Sequence, residues 1–258
     1  MKISAQLYTV RMYTQTPEGI AETLKKVADI GYRHVQCSKL GPIDPQHLRD
    51  LLDENGLTCC VTHVDPERLL QDVDGVIAEH KILGCRDIGM SIMPERYRGS
   101  SEGITQLAAD YTPVIRRIND AGFRFHYHNH DVEFMREGKR ALLDLLLEAM
   151  PDANLLLCAF WAQVGGANPI DVIERYGNRI IHIHLKDMAY GKGCKDVGRC
   201  RIMTPVMEGN MNYPAIVRAC QEHSAVEYVN VEQDECDGDP FDCLRVSYNN
   251  LKTLEGLE

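Results

Sequence analysis

Nowhere in these 258 residues is there an apolar run of the ~18 residues that a membrane-spanning helix needs. No cluster of Lys or Arg occurs either, and the formal net charge is -10, so the basic footprint of a nucleic-acid surface is missing. No Cys-X-X-Cys pair is present, which removes the usual zinc knuckle. A Gly-rich phosphate loop is not evident, which favours an unphosphorylated ligand. The first residues, from Met1 to Arg11, lack the apolar stretch of a signal peptide. A cytoplasmic protein with neither a membrane nor a nucleic-acid partner is therefore expected. Linkers, low-complexity tracts and charge blocks are absent too, so the chain is expected to form one domain, 1–258.

What is present is an ordinary globular composition, with 44% hydrophobic and 26% charged residues. Ten cysteines are spread from Cys37 to Cys243 through segments that read as buried. Free thiols acting as small hydrophobes are the expectation for them.

Short apolar, β-branched runs alternate with helical periodicity along the whole chain. Strands are expected at 3–8, 35–37, 58–62, 87–90, 124–128, 154–158, 180–185 and 228–232. A helical pattern follows each; the one after the third strand runs over about 66–83. Thr16-Pro17, Asp44-Pro45, Asp65-Pro66, Asn168-Pro169 and Asp239-Pro240 each set a capping side chain before a proline suited to the first helical turn. Gly31, Gly56, Gly84, Gly122 and Gly177 suit the reversal into the next strand. Eight such units at this length predict a closed (β/α)8 barrel of the TIM type rather than an open sheet. The longest irregular stretch, from Met188 to Pro214 with Gly191, Gly193, Gly198 and Gly209, is expected to be a lid.

In such a barrel the chemistry sits where the strands end. The fifth strand closes with His126, His128 and His130, the seventh with His182, His184, Lys186 and Asp187, and the eighth with Glu232, Gln233 and Asp234. Any one histidine could be a satisfied core group. Convergence from three strands is harder to explain by packing, because each polar group needs its own partner. Imidazoles with a carboxylate suit a divalent ion such as Mn²⁺, Co²⁺ or Zn²⁺, and a glutamate beside it can move a proton next to a carbonyl.

The string from Tyr127 to Phe134, the run from Trp161 to Pro169, His184-Leu185-Lys186-Asp187-Met188, Glu208-Gly209-Asn210, Val231-Glu232-Gln233-Asp234 and the amino-terminal Gln6-Leu7-Tyr8-Thr9-Val10-Arg11 together resemble the sugar phosphate isomerase/epimerase family, the xylose isomerase-like barrels. The resemblance runs nearly end to end. It implies a metal held by one residue from each of the last four strand ends, commonly Glu, Asp, His and Glu. Carried over by position, the ligand set is His128, Cys158, His184 and Glu232. Cys158 stands where relatives have aspartate, and Gln36 where many have glutamate, so the site is less acidic than the family pattern.

Glu232, Glu133 and Lys186 are the catalytic candidates. Glu133 is either a reacting carboxylate or a group that orients a histidine, and Lys186 either binds substrate or pairs with a carboxylate. His63, His130, Trp161, Gln36 and Tyr8 are the candidates for substrate contact, Trp161 by stacking on a sugar ring unless it is core. The resemblance implies an isomerase or epimerase of a sugar, keto-sugar or cyclitol. A lyase of the inosose dehydratase type, or a carbohydrate-binding pseudoenzyme or partner subunit prompted by Cys158, are the alternatives. A small carbohydrate is the expected partner, and a homo-oligomer is left open.

Overall fold

The computed structural model describes residues 1–196 and 200–258; Gly198 of the expected lid lies outside them. Eight parallel strands close into a barrel: β1 Lys2–Gln6, β2 His34–Ser38, β3 Thr58–Val64, β4 Asp87–Met90, β5 Arg124–His128, β6 Asn154–Cys158, β7 Ile180–Leu185 and β8 Tyr228–Val231. Each pairs with its neighbours in sequence, and β8 closes on β1. All five Pro-marked boundaries are helix starts, at which Thr16, Asp44, Asp65, Asn168 and Asp239 accept backbone N–H groups of the first turn. Such caps contribute roughly 1 kcal/mol each.

The apolar side chains form the layer between the strands and the outer helices, while the barrel interior is polar. Ser4, Gln6, Gln36, His126, His182, His184 and Asn230 are all buried there. Two register shifts set this interior, one at Val35/Gln36 between β2 and β3 and one at Leu155/Leu156 between β6 and β7. A shift of one residue exchanges the two faces of a strand. After the second shift His182 pairs with Leu156, and His184 with Cys158.

Several expectations change in detail. β1 ends at Gln6, and residues Leu7–Tyr13 form a 3₁₀ turn whose N-terminal Tyr8 N–H is taken by the Gln6 side chain. The helix expected over 66–83 is two, Pro66–Gln71 and Val73–Leu83, because Asp72 leaves helical geometry and caps the second. Gly31, Gly56, Gly84 and Gly122 adopt positive φ, but Gly177 is right-handed. Gly177 is glycine for lack of room: a Cβ there would strike the His223 carbonyl.

The expected lid contains an antiparallel hairpin, Asp187–Tyr190 with Arg201–Thr204. Cys194 and Cys200 at its tip are joined by a disulfide, which corrects the expectation of free thiols for these two. The other eight are free, and all but Cys236 are buried. Among the described residues no helix is long and apolar enough to cross a membrane.

Candidate functional site

The strand ends open into a cavity of about 850 Å³. Of the sequence candidates, Tyr8, His63, His128, His130, Trp161, Lys186 and Glu232 line it, together with Arg11 and with Asp234, a strand-end residue to which no role had been given. His130 packs its ring against Trp161 at 5.6 Å, and Lys186 Nζ stands 5.6 Å from the Trp161 ring centre. Trp161 is therefore both wall and packing partner.

Charge is concentrated on one side. Lys186 Nζ donates to both Asp234 oxygens, at 2.9 and 3.0 Å, and lies 2.9 Å from Glu232 Oε2. Only the Asp234 contacts are aligned as hydrogen bonds, so Glu232 Oε2 is left without a donor although it is buried. Burial works against both charges in this pair. The attraction of Glu232 nevertheless raises Lys186 above its usual value, and Lys186 and His184 hold Glu232 well below the carboxylate range. Asp234 is pushed up by burial and by Glu232 beside it.

Three imidazoles meet beside that carboxylate. One ring nitrogen each from His63, His128 and His184 lies within 4.8 Å of the others. His128 Nδ1 is 3.1 Å from the Ser91 carbonyl, and His184 Nε2 is 2.7 Å from Gln36 Oε1. His63 fits because β4 has Gly89 opposite it in register; a Cβ at Gly89 would crowd the Thr62 carbonyl and the His63 ring. Burial lowers the pKa of His63 and His128 well below that of a free imidazole, and brings His130 to about 3.

His126 and His182 share the inward face of their strands with His128 and His184 but lie deeper. There they meet Asp87, which opens β4. His126 Nε2 is 2.6 Å from Asp87 Oδ1, His182 Nε2 is 3.6 Å from Oδ2, and Arg124 grips both oxygens at 2.6 and 2.7 Å. His182 also stacks on Tyr228 at 5.1 Å. This layer had not been anticipated, because Asp87 and Arg124 come together only through the pairing of β4 with β5.

Three predicted site residues stand behind the wall. Gln36 is buried against His184. Glu133 has both oxygens engaged, with Tyr127 Oη donating to Oε1 at 2.5 Å and the His130 amide to Oε2 at 2.7 Å, so it holds the His130 loop. Cys158 is fully buried, lies outside the imidazole group and does not line the cavity, and burial raises its thiol to about 12. Its backbone is held by Asn129, which accepts from the Cys158 amide at 2.8 Å and donates to the Cys158 carbonyl at 3.3 Å.

Asp187 is a second residue whose role was not legible. Its carboxylate accepts backbone N–H bonds from Met188, Met207, Gly209 and Met211, folding the turn after the hairpin down onto the end of β7. At Gly209 a Cβ would collide with that carboxylate.

Residues 24–240 match the family described as xylose isomerase-like TIM barrel. The chain belongs to that family. It is 24% identical over 194 residues to an inosose dehydratase of Geobacillus kaustophilus, a match covering 66% of this chain and 62% of that protein. The fold is that of a sugar phosphate isomerase/epimerase from Parabacteroides distasonis, at 20% identity and a TM-score of 0.78, over 98% of this chain and 94% of the other. It is likewise that of a D-allulose 3-epimerase from a Methylomonas species, at 14% identity and a TM-score of 0.72, over 98% and 97%.

For a xylose isomerase-like barrel the question is whether these donors suit a divalent cation. Among the described residues buried His128 Nε2 has no hydrogen-bond partner, and His184 Nδ1 and Glu232 Oε2, 2.7 Å apart, face each other without an aligned hydrogen bond. Unpaired buried polar atoms are costly, and a cation would satisfy all three at once. The donors fit.

Proposed function

We propose that the protein transfers a proton at a carbon next to a carbonyl in a sugar, keto-sugar or cyclitol, as an isomerase or epimerase. The observation that carries this reading is Glu232: buried, ionised and facing the cavity between an imidazole and an ammonium. A divalent cation at this site would polarise the carbonyl and spread the charge that develops on its oxygen.

Glu232 serves as the base. With Lys186 against it, its proton affinity in the resting site is low. As the substrate carbon gives up its proton, negative charge leaves the Glu232 carboxylate and grows on the substrate oxygen. Lys186, held in place by Asp234, is positioned to face that growing charge. The ammonium then stabilises the transition state more than the ground state, which is the condition for catalysis. Trp161 offers a flat face to the apolar side of the ring, and His130 a neutral imidazole to a hydroxyl.

A dehydratase is the second reading, favoured by the inosose dehydratase relative and by Asp234. Loss of a β-hydroxyl requires an acid, and Asp234 lines the cavity with a proton affinity raised by burial and by Glu232 beside it.

The test is proton NMR of keto-sugars and inososes incubated with the protein in D₂O with Mn²⁺, Co²⁺ or Zn²⁺. Exchange of the hydrogen next to the carbonyl is expected, with an epimer or isomer as product. A β-elimination product would select the dehydratase reading. Binding without any exchange across the panel would sink both in favour of a carbohydrate-binding role.

A further inference from the structure

We infer that the metal centre of this chain is a three-histidine site, His63 from β3, His128 from β5 and His184 from β7, with Glu232 as its carboxylate, and that it takes a borderline cation of the Zn²⁺ or Co²⁺ class. This rests on the reading above that a cation assists the reaction. It replaces the ligand set implied by resemblance, in which the sixth strand contributes Cys158.

The argument is one of lone pairs. His128 Nδ1 faces the Ser91 carbonyl and His184 Nε2 faces Gln36 Oε1, so those nitrogens carry the hydrogens. His128 Nε2 and His184 Nδ1 are then left as buried acceptors with no donor among the described residues, and His63 Nε2 is likewise buried without a partner. Fixing a ring by a hydrogen bond from its far nitrogen to an oxygen is how proteins orient metal-binding imidazoles. On this view Gln36 is an orienting group for His184.

The fourth donor is also free to act. His184 Nδ1 lies 2.7 Å from Glu232 Oε2, yet that oxygen receives no hydrogen bond. Asp234 supplies Lys186 with a second counter-charge, so Glu232 can turn to a cation without leaving the ammonium alone. Cys158 does not take part: it is outside the imidazole group and, unlike Glu232, does not line the cavity.

The imidazole nitrogens are at most 4.8 Å apart, whereas Zn–N bonds near 2.0–2.1 Å in a tetrahedral site set ligands roughly 3.3 Å apart. Closure therefore asks for ring movements of about an ångström or less. Imidazole donors favour zinc, cobalt and their neighbours over magnesium and calcium, which prefer all-oxygen shells.

The experiment is Co²⁺ titration of the chelator-treated protein, read by visible absorption and equilibrium dialysis, with Zn²⁺ and Mg²⁺ as competitors. One Co²⁺ is expected to bind with the weak visible bands of nitrogen and oxygen ligation, displaced by Zn²⁺ and not by Mg²⁺. Cys158→Ser should leave affinity and spectrum unchanged. His63→Ala and His128→Ala, checked for unchanged circular dichroism, should each weaken binding by about 100-fold or more. The inference is overturned by wild-type binding in His63→Ala, by a thiolate-to-cobalt charge-transfer band that Cys158→Ser removes, or by no binding to the wild type. Because binding is read without turnover, an inactive protein that loads Co²⁺ in this way would refute the catalytic reading alone.

Discussion

Two layers of the same barrel use nearly the same side chains for opposite ends. The lower holds His126 and His182 against Asp87; the upper holds His128 and His184 against Glu232, one inward step of about 6.6 Å further along the same strands. In the lower layer Arg124 occupies both carboxylate oxygens, and Tyr228 covers His182. The charge there is spent on closing the barrel. Both layers keep imidazole nitrogens without partners among the described residues, but in the upper layer the cation, Lys186, is hydrogen-bonded to a different carboxylate, Asp234, and His63, His128 and Glu232 line a cavity. Under the proposed function, what separates a structural His–Asp cluster from a reactive His–Glu cluster is where the neighbouring cation is committed, not residue type.

That contrast can be tested from its strongest consequence downward. Glu232→Gln should reduce exchange of the substrate hydrogen by about 10²–10⁴-fold, the usual worth of a positioned acid–base group, with the melting temperature little changed. If it retained full exchange, the upper layer would lose its claim to the chemistry.

Asp87→Ala should do the reverse. Stranding two buried histidines and leaving the part-buried Arg124 with Glu227 alone is expected to cost on the order of 3–5 kcal/mol in urea unfolding. Co²⁺ affinity measured well below the transition should be nearly unaffected. Loss of Co²⁺ binding without loss of stability would erase the distinction between the layers.

Asp187→Ala removes the acceptor of four backbone N–H groups. A cost of about 1–3 kcal/mol is expected, with faster amide exchange confined to Met188 and Met207–Met211. Uniform exchange across the barrel would instead assign Asp187 to the common core.

The mildest effect is on pH. Burial lowers the pKa of His182 to about 4 and those of His63, His128 and His130 as well. Between these values and the ordinary 6.5 the unfolded chain binds more protons than the folded one, so stability rises with pH across that window. The metal-free protein should be flat above about pH 6.5 and lose stability steadily toward pH 4, followed by its thermal midpoint. Saturating Zn²⁺ should move the onset to lower pH only through the upper-layer histidines; His182 should titrate as before.

Much of the fold was readable from local chemistry. Cap-and-proline pairs mark helix starts because they act within one turn, and four of the eight strands, Asp87–Met90, Arg124–His128, Asn154–Cys158 and Ile180–Leu185, have the bounds the apolar runs suggested. The period of two also showed that His126, His128, His182 and His184 face one way. Depth was invisible to it, so His126 and His182 looked like pocket residues. Resemblance placed His184 and Glu232 in the site but pointed to Cys158, whose burial only the packed barrel reveals.

By itself, then, the sequence determined the βα rhythm, the inward face of each strand and the family, all of which depend on neighbours a few residues apart. The closure of eight strands decided the rest: that Gly89 makes room for His63, that Gln36 orients His184 across 148 positions of chain, and that Lys186 leans on Asp234. These are pairings between different strands. Their geometry is set by register and depth, which no short stretch of sequence contains.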